Sequence, residues 1–269
     1  DFTAFYARGG ILGPLRDKNS LPMLTVQGFG DHQVAMNLAA GVLAALFKAK
    51  MTGEGDHVVV SLFHSAIWDI SLMLQASQYG ADSTQYPMER WKLGNPLVLC
   101  YETADGQWLQ IAMPQYDRHY PILMNAMGYP ELADDARYYP QKNLIPNREE
   151  FSAWITAEFK KKTCDEWCKL LDANDLPYAI AQEWDSLLED KQALASDCFY
   201  EMSYSNGNKR TLVRPPVLFD QMGLPPYERG PYLGEQTKDI LGELGYSAEA
   251  IDELIKSGAA IDMDPALRD

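Results

Sequence analysis

Asp31 stands between Gly30 and His32 at the mouth of VQGFGDHQVAMNLAAGVLAALFKAK, residues 26–50, where almost everything that follows is apolar or small. An aspartate in that place most simply starts a helix, accepting a bond from its own first turn. The same place also suits chemistry, because a helix N-terminus keeps a carboxylate ionised and stabilises a neighbouring oxyanion. Gly28 and Gly30 clear side chains from beside it, so a substrate carbonyl could reach the backbone. An ionised carboxylate stripped of water in an apolar pocket is a competent nucleophile toward acyl groups. Both readings stand at this point.

His32 follows directly, but adjacent helical residues do not face one another, so its simplest role is that of a polar first-turn residue. Gly94-Asn95, inside WKLGNP at residues 91–96, reads either as loop punctuation or as a loop that covers a substrate. His57, His64 and His119 lack metal spacing, and neither HExxH nor CxxC occurs. Cys164 and Cys168 share a helix face, yet two thiols alone make no zinc site, so no metal is expected. GxGxxG and GxxxxGK[ST] are absent as well, leaving dinucleotide and P-loop chemistry without support. Lys160, Lys161 and Lys162 read as a solvated helix end, and Trp154 and Trp167 as core residues.

Around these residues the pattern predicts a close-packed, largely buried helix over 31–48, ended by the glycines of MTGEGD, and then a buried strand in HVVVSL. Ser61 can cap a second apolar helix reaching about residue 78. Strand alternating with helix suggests an α/β layer. Residues 79–87 read as a linker. Beyond it, Ala104-Asp105-Gly106 marks a hairpin, helices are expected near 118–127, 148–162 and 164–173, and a strand near 176–181. A second hairpin turns at Asn206-Gly207, residues 215–234 form a proline-rich return arm, and two short helices cover 235–244 and 247–256. The tail past Gly258 is expected to fray.

A chain of 269 residues can bury a large core in one domain or two. Its net charge of −15 repels polyphosphate, so nucleic acid is not an expected partner. Mean hydropathy is −0.29 and no uninterrupted apolar run approaches a membrane span of about 20 residues, so no membrane is expected either. Four irregularly placed cysteines fit a reducing cytoplasm rather than a secreted disulfide scaffold. No basic stretch followed by an apolar run opens these residues, so no secretory signal is expected. DFTAFYARGG begins without Met, as though an element had been entered midway, and the expectation is a longer protein cut at this point.

GFGDHQVAMNLAAGVLAALFKAKMTGEGDHVVVSL resembles the class III coenzyme A transferases, the CaiB/BaiF family, in its Gly-Asp, small-residue helix, Thr-Gly-x-Gly and strand ending in Ser-Leu. Gly94-Asn95, YETADGQW, PYAIAQEWDSLLED and YLGEQTKDILGELGYSAEAIDEL extend the likeness in order along the chain. The resemblance implies a catalytic aspartate at Asp31 that takes an acyl group from acyl-CoA as an anhydride and then carries CoA as an aspartyl thioester. It implies substrate and CoA contacts near Gly30, His32, Gly94 and Asn95, the last two at the family's glycine loop, although the longer glycine run of some members is missing. CoA and acyl-CoA would be substrates, with no permanently bound cofactor.

The implied fold is α/β: an incomplete Rossmann-like large domain plus a smaller α+β domain, in an interlocked homodimer. On that plan residues 1–80 are part of the large domain, 81–96 the linker and glycine loop, 97–214 the small domain, and 215–269 the return arm and C-terminal helices of the large domain. Most of the large domain's N-terminal half, with many CoA contacts, would lie upstream of Asp1, so this segment alone is expected neither to fold well nor to turn over. DFTAFYARGGILGPL is closest to transferases for 2-hydroxyacyl or arylacyl groups of amino-acid fermentation, and Tyr6-Ala7-Arg8-Gly9-Gly10 replaces a Gln-Ala-x-Ser-Gly pattern common elsewhere, which argues against oxalate-type substrates. Two rivals remain: α-methylacyl-CoA racemase chemistry on the same fold, and a non-catalytic interaction module in which Asp31 is only a cap.

Overall fold

The structure is a computed structural model, and it describes all residues except 24, 81–85, 205–206, 220–228 and 264–269. The chain divides into two compact units, Asp1–Ala181 and Gln182–Asp269.

The first unit opens with a π-helical turn, Phe2–Ala7, in which Phe5 is buried. Helix α1 spans Phe29–Thr52 and stops at Gly53, whose φ of 77° is the left-handed conformation that glycine adopts without strain. Ser61 caps α2 (Leu62–Asp69) by accepting from the His64 N–H at 3.2 Å, and a break at Ile70 separates α2 from α3 (Ser71–Ala76). Asn37 on α1 donates to the Ser65 hydroxyl of α2 at 2.9 Å, and Ser65 is buried.

Two expectations fail in this region. Helix α1 forms where the pattern puts it, but it is mostly exposed: Leu43 is 65% and Phe47 70% accessible. Apolar residues lie all around it, and among the described residues α2 and the following chain cover only part of that surface. By length and composition α1 is also apolar enough to cross a membrane, with a mean hydropathy of 1.4, although no uninterrupted apolar run reaches that length. HVVVSL forms no strand. Residues 54–61 are irregular because no strand among the described residues pairs with them. Val58 instead lies against Gly41 of α1, where an added Cβ would stand 2.7 Å from its Cγ1.

Residues 81–85 of the expected linker lie outside the described residues. Past them a tightly packed module begins. Strands β1 (Cys100–Glu102), β2 (Trp108–Ile111) and β3 (Tyr178–Ile180) form an antiparallel sheet in that order, pairing Tyr101 with Leu109 and Leu109 with Ile180. The expected hairpin is present, with Gly106 at φ 76° in its turn. Helices α4 (Tyr116–Met127), α5 (Gln141–Leu144), α6 (Arg148–Phe159) and α7 (Cys164–Ala173) supply the rest of the core. Leu109, Tyr120, Leu123, Phe151, Ile155 and Trp167 are all at most 1% exposed. Trp167 stacks on Phe159 at 4.5 Å and donates its indole N–H to the Phe159 carbonyl at 2.8 Å, so its polar atom is satisfied in the core. Trp154 is half-buried against the same cluster.

The lysine run is more engaged than a solvated helix end requires: Lys160 pairs with Glu102 at 2.7 Å, Lys161 pairs with buried Glu158, and Lys162 lies over the Trp167 ring.

The second unit holds α8 (Trp184–Leu187), α9 (Lys191–Ala195), the hairpin of β4 (Phe199–Ser203) and β5 (Lys209–Val213), then α10 (Thr237–Glu243) and α11 (Ala248–Lys256). Ser247 caps α11 as its sequence position predicts, accepting from the Ala250 N–H at 3.3 Å. Residues 205–206, 220–228 and 264–269 cover Asn206 of the hairpin turn, much of the return arm and the last of the tail, and lie outside the described residues. The described parts of the return arm, 215–219 and 229–234, have no helix or strand.

Candidate active site

Asp31 is the third residue of α1 and is not its cap. Gly28 occupies the cap position at φ 81°, where it has no side chain to offer. The two first-turn N–H groups of Gly28 and Gly30 donate instead to the carboxylate of Asp1, at 2.8 and 3.0 Å. The capping role that sequence position offered to Asp31 therefore belongs to Asp1, 27 residues before Gly28. Asp31 is exposed, as are His32 and Gln33 beside it, while Gly30 is buried. The dry apolar pocket expected around Asp31 is not formed by the described residues, because the flanks of α1 stand uncovered and Phe29 is 52% accessible. A Cβ on Gly30 would collide with the Phe5 ring and the Asp1 carboxylate, which explains glycine there.

Gly94 and Asn95 part company. Asn95 uses both ends of its amide in the fold: Oδ1 accepts from the Leu97 N–H at 2.9 Å, and Nδ2 donates to the Met113 carbonyl at 3.1 Å. Gly94 has open space where a Cβ would stand, and its carbonyl accepts from the Gln141 amide at 3.0 Å. Packing within the chain does not demand a glycine at 94, and the bare backbone faces a cleft of about 760 Å³.

Four cations line that cleft: Arg16, Lys18, Lys92 and Arg148, with Glu89 as the acid among them. A short parallel bridge joins its walls, with Lys18 N–H to the Met88 carbonyl at 2.7 Å and Met88 N–H to the Arg16 carbonyl at 2.9 Å. Arg16 is held by the Gly13 and Ser20 carbonyls, at 2.9 and 2.6 Å. Glu89 hydrogen-bonds first to Lys18 and then to Lys92, and together they hold its carboxyl down to about 2. A net positive cleft in a chain of charge −15 suits an anionic ligand. Asp31 is not part of its lining.

Sequence reasoning passed over Asp1 and this basic cluster. Asp1 lies 27 residues from the N–H it binds, and the cations come from three separate stretches, so no local spacing announces either. Among the described residues no group of three metal-ligating side chains occurs. Cys164 is buried and Cys168 half-buried; burial first, then its neighbour Cys168, pushes the Cys164 thiol up to about 11, which suits an inert core thiol.

The mixed helix and sheet architecture matches that of a CAIB/BAIF family protein from Brucella suis, with a TM-score of 0.71 at 21% identity, over 89% of this chain and 61% of that one. The sequence profile of CoA-transferase family III matches residues 1–237, and the chain belongs to that family. It is 45% identical to cinnamoyl-CoA:phenyllactate CoA-transferase of Clostridium sporogenes over 95% of its own length, and 36% identical to (R)-2-hydroxy-4-methylpentanoate CoA-transferase of Clostridioides difficile over 94%. It spans 62% of the length of each of these two relatives.

Proposed function

We propose that the complete protein moves CoA from an acyl-CoA, of the 2-hydroxyacyl or arylacyl class, to a carboxylic acid, with Asp31 as covalent relay. The observation that carries this reading is the carboxylate of Asp31 standing in the first turn of α1 with the capping duty taken by Asp1. Family membership and two relatives named for 2-hydroxy acids support the substrate class.

One oxygen of Asp31 attacks the thioester carbon, the C–S bond breaks, and CoA leaves as thiolate. That thiolate attacks the aspartyl carbonyl of the resulting anhydride, releasing the donor acid as carboxylate and leaving CoA on Asp31. The acceptor carboxylate attacks this aspartyl thioester and expels the thiolate, which then attacks the acceptor's own carbonyl in the second anhydride and restores Asp31. One thioester replaces another, so the exchange is near-neutral in free energy and needs no ATP. CoA enters and leaves as substrate, and no cofactor stays bound.

Gly94 offers bare backbone for a ligand to approach, and the cations beside it suit anionic substrate groups. Gly30 and His32 flank the nucleophile. The uncovered face of α1 suits the interlocked homodimer, and a Rossmann-like large domain and a cytoplasmic setting belong to the same reading.

The test is trapping in the complete protein. Incubation with cinnamoyl-CoA, then hydroxylamine or borohydride, should modify Asp31, read by mass spectrometry. Asp31→Asn should lose turnover by roughly three orders of magnitude or more while keeping its circular dichroism. Turnover with no modification at Asp31, or solvent deuterium entering C2 of an acyl-CoA without any acceptor acid, would overturn the proposal.

A further inference from the structure

We propose that Asp1 is a positioning residue for the nucleophile, an inference that rests on reading Asp31 as the covalent relay. The first N–H groups of a helix have no partner within it, and an acid at the third helical position can fold back to satisfy the cap N–H. Asp31 holds that third position, and the cap N–H is that of Gly28. Asp1 Oδ2 already accepts this N–H at 2.8 Å, and Oδ1 accepts the Gly30 N–H at 3.0 Å. The bonds that would draw Asp31 onto its own helix are taken from a separate segment. Its oxygens stay available for an acyl carbon.

Asp1 is itself well fixed. Its backbone carbonyl accepts from Phe5 and Tyr6, both at 3.1 Å, and the buried Phe5 ring packs beside Gly30. Its two carbonyl bonds lie within the π-helical turn and its two carboxylate bonds reach the start of α1, so the residue ties one to the other and fixes the helical turn that carries Asp31. Asp1 acts on Asp31 through this geometry.

The experiment uses the complete protein and three variants, Asp1→Asn, Asp1→Ser and Asp1→Ala, with cinnamoyl-CoA as the acyl donor and phenyllactate as acceptor. Asn and Ser can each still accept through one oxygen, whereas Ala offers none. The expected result is a kcat loss of about 10- to 100-fold for Asn and Ser and more for Ala, with KM for acyl-CoA within about threefold. The single-turnover rate of Asp31 modification, scored per folded protein, should fall in parallel. Unchanged kcat overturns the inference, and so does a kcat loss that only follows the loss of folded protein while the per-molecule rate of modification stays at the wild-type value. If the wild type itself turns over without modification at Asp31, the nucleophile reading falls and takes this one with it; if wild type is modified and the Asp1 variants are modified as fast, only this inference falls.

Discussion

At the scale of single residues, two acids illustrate how far type and spacing carry. Asp31 was conspicuous in the sequence because a charge before an apolar helix can cap it or do chemistry there, and in the structure the capping bonds go to Asp1. The second acid, Glu89, has a local partner in Lys92 three residues on, but its other partner, Lys18, reaches it from 71 residues away and left no local signal. Its behaviour with pH follows from its partners. The Lys18 hydrogen bond, then that of Lys92, lowers its carboxyl from 4.5 to about 2. A depressed folded value means that the contribution is fully present above about 4.5 and disappears as the pH falls through 2. Carboxyl-carbon NMR should find Glu89 titrating near 2, and Glu89→Gln should abolish that acid transition at the 16–18 and 88–92 bridge. A wild-type titration at the ordinary 4.5 would show that the two lysines do not hold it in solution.

At the scale of elements, local rules succeed wherever the determinant is local. Thr163 accepts from the Glu166 N–H at 3.3 Å while the Glu166 carboxylate accepts from the Thr163 N–H at 2.8 Å, a reciprocal cap that starts α7. Thr163→Ala should therefore cost about 1 kcal/mol in urea unfolding. The hairpin at Gly106 and the Ser61 and Ser247 caps were legible for the same reason. HVVVSL was not, because β-branching only says that a segment would fit a sheet, and its fate depends on whether a neighbouring strand is there to receive it. Gly9 gives the converse case, a position whose importance is invisible in sequence. It is buried between the Phe5 carbonyl and Ala66 of α2, and an added Cβ would collide with both. Gly9→Ala should destabilise by about 1–3 kcal/mol, against the small gain that removing a glycine can bring elsewhere. Thermal melts of the two proteins decide the sign.

At the scale of the whole molecule, the two halves of the first unit differ in how they are held. The module from residue 88 to 181 closes around its own core, with Phe151 fully buried among Tyr120, Tyr138 and Trp154. Phe151→Ala should cost about 3–5 kcal/mol there, and a loss under 1 kcal/mol would mean that the site collapses onto the cavity. Helix α1 has no comparable cover, although its sequence reads as a buried helix: apolar periodicity reports that a face wants burial and is silent on which surface provides it. The order of motifs made the family legible along the chain, whereas the dryness of the surroundings of Asp31 was not, since that depends on what packs over α1.

Trp167 gives this difference a practical use. Of six tryptophans it is the one at 1% exposure, whereas Trp68 and Trp184 are 70% and 77% accessible. A version of the protein in which the other five are replaced by phenylalanine would emit from Trp167 alone, shifted to the blue and shielded from iodide. Its light would then report on the integrity of one half while the other half is being altered, and damage around Asp31 could be told apart from damage to the scaffold in a single cuvette.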